Sequence, residues 1–129
     1  MQEYQVKVFE GDRTEWYRNG VLHREGGPAV EYTTGTKVWY QDGGRHREGG
    51  PAYEGALGIR AWYKHGLRHR EDGPAYETDD GDKEFWLNGE KYFELDFVAE
   101  MNPKSQGNID GKIVEIKGKK YKLTAVENT

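Results

Sequence analysis

The fold is decided by the heptapeptide HREGGPA at residues 23–29. It recurs as HREGGPA at 46–52 and as HREDGPA at 69–75. Each copy follows an aromatic pair, and a fourth pair occurs without an HRE triplet. These pairs are Trp16-Tyr17, Trp39-Tyr40, Trp62-Tyr63 and Phe85-Trp86. Successive tryptophans are 23, 23 and 24 residues apart, and a fixed period of this length indicates an array of structural repeats.

Two classes of turn alternate along the repeats. One class follows each aromatic pair, at Asn19-Gly20, Asp42-Gly43-Gly44, His65-Gly66 and Asn88-Gly89. The other precedes the next aromatic pair, at Thr34-Gly35, Ala56-Leu57-Gly58 and Asp80-Gly81. Asn-Gly is a strong hairpin signal, because glycine adopts the positive φ angles that tight turns need. Each unit is therefore predicted to form two short strands and two turns, stacked into an antiparallel meander of an all-β protein.

The two faces of this sheet differ in polarity. Neighbouring residues of a strand point to opposite faces, so the Trp and the Tyr of each pair lie on opposite sides. The Tyr side carries apolar neighbours, namely Val38, Ala61, Phe85 and Leu87, whereas the Trp side carries Lys37, Gln41, Arg60 and Lys64. We therefore predict that the core lies under the Tyr side.

The composition indicates a thin core. Leu, Ile, Val and Phe make up only 22 of the 129 residues, so burial must depend on aromatic residues, as in a layered repeat protein. The chain has no cysteine, which excludes disulfides and thiolate chemistry. The sequence shows neither an apolar leader nor a membrane span, so a cytoplasmic location is expected.

The ends of the chain carry different signals. Residues 4–9 are predicted as a strand. Phe93, Phe97, Val98 and Met101 recur at helical spacing, which predicts a short helix at about 94–101 that caps the sheet. A hairpin turning at Lys117-Gly118 is predicted over 112–126, after a polar loop. We therefore divide the chain into a repeat sheet, residues 1–92, and a cap, residues 93–129.

Charge is unevenly distributed along the chain. Residues 13–70 carry ten Lys or Arg against six Asp or Glu, a net charge of +4. Residues 71–100 carry two against eleven, a net charge of −9. Either a solvated sheet or a dipolar surface that steers a partner explains this pattern.

The repeated triplets are the first candidates for chemistry; they are His23-Arg24-Glu25, His46-Arg47-Glu48 and His69-Arg70-Glu71. Equivalent residues lie two strands apart, about 10 Å at roughly 4.8 Å per strand. Ligands of one metal all lie within about 2.2 Å of it. The stacked histidines are therefore not expected to share an ion, and neither a metal nor a cofactor is predicted.

Repetition also disfavours catalysis. The single serine, Ser105, is predicted to lie in the polar loop, and three near-identical triplets do not suit one unique active site. We predict a structural role, in which Arg pairs with Glu across a turn and His donates to a backbone carbonyl. The protein is expected not to be an enzyme.

The order Trp-Tyr-Arg-Asn-Gly-Val-Leu-His-Arg-Glu-Gly-Gly at 16–27, followed by Gly35 in a turn, resembles the MORN repeat. That family is similar in its period, in the aromatic residue before Asn-Gly and in the His three residues after the Gly. The HRE-x-GPA form looks more like the MORN-variant repeats of bacteriophage and giant-virus proteins. The resemblance covers about residues 13–92 and implies an interaction scaffold.

The resemblance and the charge pattern together predict a phage-encoded protein that inhibits a host defence protein by covering its surface. The residues predicted to contact that host protein are Trp39, Trp62, Arg47, Arg70, Asp79, Asp80, Asp82 and Glu84. Core packing is the alternative role for the tryptophans. Because Arg and Trp cluster, sequestration of a small nucleotide is the alternative function. The acidic segment 71–100 disfavours long nucleic acid and membrane surfaces.

Overall fold

The structure, a computed structural model, describes residues 2–101 and 113–122. Within these ranges the chain is mostly β, with one short helix, α1 (Glu94–Met101). The strands are β1 (Tyr4–Phe9), β2 (Arg13–Arg18), β3 (Val21–Leu22), β4 (Val30–Tyr32), β5 (Lys37–Val38), β6 (Tyr40–Gln41), β7 (Gly44–Arg45), β8 (Tyr53–Glu54), β9 (Arg60–Ala61), β10 (Tyr63–Lys64), β11 (Leu67–Arg68), β12 (Tyr76–Glu77), β13 (Lys83–Leu87), β14 (Glu90–Tyr92), β15 (Ile113–Ile116) and β16 (Lys119–Lys122).

One open sheet runs through the repeats. Its strand order is β1-β2-β4-β5-β8-β9-β12-β13-β14, with β3 paired to β2. From β1 to β13 each strand is antiparallel to its neighbour. Equivalent segments therefore recur along the sheet, and the predicted all-β antiparallel meander is confirmed.

The internal repeats are more divided than predicted. The strand that contains Trp39 splits into β5, which belongs to the main sheet, and β6, which forms a separate hairpin with β7. The break occurs because the Trp39 N–H donates to the Ala52 carbonyl at 2.7 Å, while the Trp39 carbonyl accepts from the His46 N–H at 3.1 Å. Trp62 divides β9 from β10 in the same way. Each internal unit thus contributes four short segments rather than two strands.

The turns after the aromatic pairs take the predicted hairpin geometry. Asn19, Asp42, His65 and Asn88 have φ angles of 49–50°, and each precedes a glycine with φ of 80–86°. Two successive positive φ angles define a type I′ turn. Asparagine, aspartate and histidine are the non-glycine residues that most often adopt positive φ, which fits all four positions.

The core is a thin layer built from small residues. Ala29, Ala52 and Ala75 have no exposed surface. The predicted Tyr-side residues Val38, Ala61, Phe85 and Leu87 are also buried, whereas Tyr40 and Tyr63 are only half-buried. Because these alanines are fully buried in a close-packed layer, we expect a larger side chain to displace its neighbours.

The chain divides into two compact units, Met1–Lys91 and Tyr92–Thr129. In the second unit α1 matches the predicted helix and buries Phe97. The hairpin β15–β16 turns at Lys117-Gly118, as predicted. The remainder of that predicted hairpin and the polar loop lie outside the described residues. Among the residues described, no helix has the length and apolarity needed to cross a membrane.

We predict that Ala52→Leu lowers the free energy of unfolding by about 1–3 kcal/mol, because added methylenes strain a filled core. Ala56→Leu is the matched control, since Ala56 is exposed in the adjacent turn, and should change stability by less than about 0.5 kcal/mol. Urea unfolding followed by tryptophan fluorescence measures both. Equal effects at the two positions would contradict the tight stacking of units.

Candidate functional site

The three HRE loops, residues 23–28, 46–51 and 69–74, each fold an arginine back onto a tryptophan. The guanidinium carbon lies 3.9 Å from the ring centroid in all three pairs, which are Arg24–Trp16, Arg47–Trp39 and Arg70–Trp62. Each guanidinium also donates to the carbonyl of the loop proline, at 3.0–3.1 Å. The loop thus holds its arginine flat over the ring, in a cation–π geometry.

A glycine makes this arrangement possible. A Cβ built on Gly27, Gly50 or Gly73 would lie 3.0 Å from the guanidinium carbon of the same loop. A larger residue would require the guanidinium to shift by a few tenths of an ångström, because this distance is tighter than nine in ten Cβ contacts. The Gly-Pro dipeptide of the repeat is therefore explained by the arginine that it packs against.

Each HRE histidine links its own repeat to the next. Its Nδ1 accepts the backbone N–H of the first residue of the following type I′ turn. The pairs are Asp42 to His23 at 3.0 Å, His65 to His46 at 3.0 Å and Asn88 to His69 at 2.9 Å. Because Nδ1 accepts, the proton lies on Nε2. Nε2 then donates to the loop glutamate, at 2.7 Å for Glu25, 2.9 Å for Glu48 and 3.3 Å for Glu71.

The predicted hydrogen bond of the histidines was wrong in direction. They accept a backbone N–H and donate to a carboxylate, instead of donating to a backbone carbonyl. A positive-φ turn leaves its first N–H pointing at the neighbouring repeat, and an imidazole nitrogen is the acceptor within reach.

Two glutamates outside the triplets complete the arginine contacts. Arg24 pairs with Glu31 at 3.3 Å, and Arg47 pairs with Glu54 at 2.8 Å. Sequence reasoning missed both, although they recur at the repeat spacing. In the third repeat Arg70 pairs with Asp72 at 2.9 Å, because HREDGP places a carboxylate beside it. Glu77 pairs with Arg60 instead, at 3.1 Å.

Charge is segregated within the loops. The arginine side chains are only 24–32% exposed. The loop carboxylates of Glu25, Glu48, Glu71 and Asp72 are 68–87% exposed. At the strand ends that carry the HRE loops, the loop carboxylates therefore face solvent and the loop arginines lie against the rings. Arg18 of β2 also pairs with Glu25, at 3.6 Å.

Two grooves lie between successive loops. The first, of about 430 Å³, separates the first and second loops and has Trp39 in its wall. The second, of about 540 Å³, separates the second and third loops and is lined by Trp62, Arg47 and Arg70. Both grooves carry loop glutamates at their margins. They are the candidate site because the half-buried tryptophans meet solvent there.

The structure does not bring all of the predicted contact residues together. Trp39, Trp62, Arg47 and Arg70 line the grooves. Asp79, Asp80 and Asp82 lie in the turn from β12 to β13, at the other end of the strands, where Asp79 pairs with Arg60 at 3.0 Å. Glu84 accepts from the Trp86 indole N–H at 2.9 Å. The aspartates form a separate acidic turn.

One ion pair supports the first histidine link. Arg18 hydrogen-bonds the carboxylate of Asp42, and this contact holds the pKa of Asp42 below its usual range. Asp42 is also the residue whose N–H is accepted by His23. The ionised carboxylate of Asp42 therefore holds the turn to Arg18 of β2, and the backbone N–H of the same residue holds the turn to the first HRE loop.

Comparisons of the chain with family models, with curated proteins and with solved structures give no match. In the part of the chain that the structure describes, no three His, Asp or Glu side chains are grouped to hold a metal ion. Functional inference therefore depends on the geometry of the HRE loops.

We predict that His23→Ala lowers the free energy of unfolding by about 2–3 kcal/mol. The substitution removes a fully buried ring and the acceptor for the Asp42 N–H. His65→Asn is the control, because asparagine occupies the same turn position at residues 19 and 88 and tolerates positive φ. Chemical denaturation should show a smaller loss of stability than for His23→Ala, because the backbone N–H that His46 accepts is kept and only the contact between the His46 and His65 rings, 4.4 Å between centroids, is lost. A His65→Asn variant as unstable as His23→Ala would argue against the role of the link.

A double-mutant cycle tests the stacked pair. Arg47→Met and Trp39→Leu should be coupled by about 1 kcal/mol, since both remove the same cation–π contact. The control cycle combines Arg47→Met with Trp86→Leu, which lies in β13 and touches a different arginine, Arg68. That pair should be additive within about 0.5 kcal/mol. Unfolding free energies from urea titrations give both values, and a coupling indistinguishable from the control would refute the stack.

Proposed function

We propose that this protein is a non-enzymatic binding module that engages another protein through its HRE loops. The observation that supports it most strongly is the charge segregation, with arginines held inward and four loop carboxylates outward. Equivalent carboxylates recur about every 10 Å, at roughly 4.8 Å per strand. A surface of this kind attracts a partner that carries lysine or arginine residues at matching intervals.

The side chains of the HRE triplets already make hydrogen bonds within the protein, and this supports a role without catalysis. A general acid or base needs a nitrogen or oxygen that is available to the substrate. Both ring nitrogens of His23 and of His46 are already bonded within the protein. The same arrangement occurs in every HRE loop, as expected for a structural unit.

The grooves supply the apolar part of the proposed interface. Trp39 and Trp62 are half-buried, and each has one ring face covered by an arginine. Partly exposed tryptophans flanked by charged residues suit the anchoring positions of protein interfaces. Side chains of the partner would enter the grooves while its cations meet the loop carboxylates.

The identity of the partner is proposed from the resemblance to MORN-variant repeats. On that basis the protein is a phage-encoded inhibitor that acts in the host cytoplasm and covers the surface of a host defence protein. The regular repeat sheet supports this proposal to the extent that it offers a long, uniform face.

Nucleotide sequestration is the second candidate. The second groove places Trp62 beside Arg47, Lys64 and Arg70, and its volume of about 540 Å³ falls within the range of small-molecule sites, about 300–1,000 Å³. Glu48, Glu71 and Asp72 line the same groove. These carboxylates would repel a phosphate, so the groove favours a cationic partner.

The proposal is tested by removing the loop carboxylates without disturbing the loops. In the variant Glu25→Gln, Glu48→Gln, Glu71→Gln the amide oxygen can still accept from each His Nε2. The matched control is Asp79→Asn, Asp80→Asn, Asp82→Asn, which removes three charges from the acidic turn. A partner captured from host lysate, identified by mass spectrometry, is then titrated against each form of the protein.

We expect the loop variant to bind about tenfold more weakly, because three rim charge pairs contribute about 0.5 kcal/mol each. The control should bind like the native chain. Loss of binding in the control alone would contradict the proposal and assign the interface to the acidic turn. Saturable heat stabilisation by mononucleotides or cyclic nucleotides, with no protein captured, would favour sequestration.

A further inference from the structure

Arg45 differs from the other arginines in its partners. Within the part of the chain that the structure describes, an aspartate or glutamate pairs with every arginine except Arg45; the paired ones are Arg13, Arg18, Arg24, Arg47, Arg60, Arg68 and Arg70. Arg45 is half-buried. It donates to two phenol oxygens, from Nε to Tyr40 and from Nη1 to Tyr63, both at 3.4 Å. Because arginine keeps its proton in proteins, a permanent charge lies beside two neutral hydroxyls.

The next repeat shows what occupies the equivalent place. Arg68 follows Arg45 by one period of 23 residues, and it pairs with Glu84 at 3.4 Å. Glu84 also accepts from the Trp86 indole N–H at 2.9 Å and lies 3.6 Å from the Lys91 ammonium. Three donors thus surround one carboxylate in that repeat.

One period earlier the donors are present and the carboxylate is not. The three donor positions are occupied there by Arg45, Tyr63 and Arg68, each of which carries an N–H or O–H group. The position of Glu84 is occupied by Ala61. Alanine supplies no acceptor, so this repeat keeps the donor set of its neighbour without the group that the donors bind.

The donors converge on the hydroxyl of Tyr63. Its oxygen accepts from Nη1 of Arg45 and, at 2.9 Å, from Nη2 of Arg68. A phenol has two acceptor lone pairs and one O–H donor. Two arginines therefore use the lone pairs, and the Tyr63 O–H is oriented by them as a further donor.

The register of the sheet places both arginines beside Ala61. Tyr53 and Tyr76 are registered opposite Ala61 on its two sides, and residues paired in this way share one face of the sheet. The guanidinium of Arg45 lies 5.7 Å from the centroid of the Tyr53 ring, and that of Arg68 lies 5.1 Å from the Tyr76 ring. All five residues belong to the first compact unit.

We propose that Arg45, Tyr63 and Arg68 bind a carboxylate supplied by a ligand, in the place that Glu84 takes in the next repeat. Hydrogen bonds from guanidinium to carboxylate are about twice as strong as neutral ones. Arg68 can serve both repeats because a guanidinium has five N–H donors. The carboxylate belongs to a small free acid or to an acidic side chain of a protein. The inference does not depend on the proposed partner of the HRE loops, which use other side chains.

A carboxylate supplied by the chain itself tests the donor set. Ala61→Glu introduces the missing acceptor, and Ala61→Gln is the matched control with the same size and no charge. We expect Ala61→Glu to unfold at a higher urea concentration than Ala61→Gln near pH 7. The difference should fall by at least half when Arg45→Met is added to both. Equal midpoints for the two variants would contradict the proposal.

Titration of the native chain with glutarate tests ligand binding directly, without a variant that has to fold. The backbone amide resonances of Arg45 and Tyr63 should shift saturably, with a Kd of about 1 mM. Arg45→Met, followed at the Tyr63 amide, should weaken binding at least tenfold. Arg60→Met is the control, because Arg60 pairs with Glu77 and Asp79, and it should bind like the native chain.

A second titration identifies the source of the carboxylate. It compares an acetylated Gly-Glu-Gly amide peptide with its Gly-Gln-Gly counterpart, which should not bind. Tighter binding of the glutamate peptide than of glutarate assigns the site to a protein side chain, and weaker or equal binding assigns it to a small acid. Absence of a shift with glutarate and peptide up to about 100 mM would overturn the proposal. Inorganic phosphate that binds at least tenfold more tightly than glutarate would overturn the assignment to a carboxylate.

Discussion

The structure depends on one contact between repeats, the hydrogen bond from a turn N–H to the histidine of the preceding unit. A type I′ turn needs positive φ at two residues and leaves its first N–H facing the neighbouring unit. The buried imidazole satisfies that group and fixes the distance between units. Without it, a core made of alanines and a few larger residues would provide little specificity for the stacking of one unit on the next.

The remaining parts of the repeat follow from the position of this histidine. The next residue is an arginine, which reaches back over the tryptophan and against a glycine. The residue after that is a glutamate, which accepts from the imidazole and stays in solvent. A single tripeptide thus joins two units, covers an aromatic ring and places negative charge at the solvent-exposed ends of the strands. That last property supports the proposed binding of a cationic protein surface.

The two ends of the strands present different chemistry. The end that carries the HRE loops combines carboxylates with tryptophan-lined grooves. The turns at the opposite end include the acidic group Asp79, Asp80 and Asp82. Both are negative, but the tryptophan-lined grooves lie at the end that carries the HRE loops. Binding energy at protein interfaces comes mostly from buried aromatic anchors, and charge mainly steers the approach. For this reason the grooves carry the functional proposal.

The sequence alone determined the period, the positive-φ turns, the all-β class and the helix of α1, because these follow from local backbone preferences and from side-chain periodicity. Only the tertiary structure decided the partner of each charged group. His23 accepts from Asp42, 19 residues away, and Arg24 pairs with Glu31 rather than with the adjacent Glu25. Contacts between repeats depend on how one unit is registered against the next, and that register is set by packing and hydrogen bonding in three dimensions. The splitting of the Trp39 strand between two ladders, and the inward arginines with outward glutamates, have the same cause.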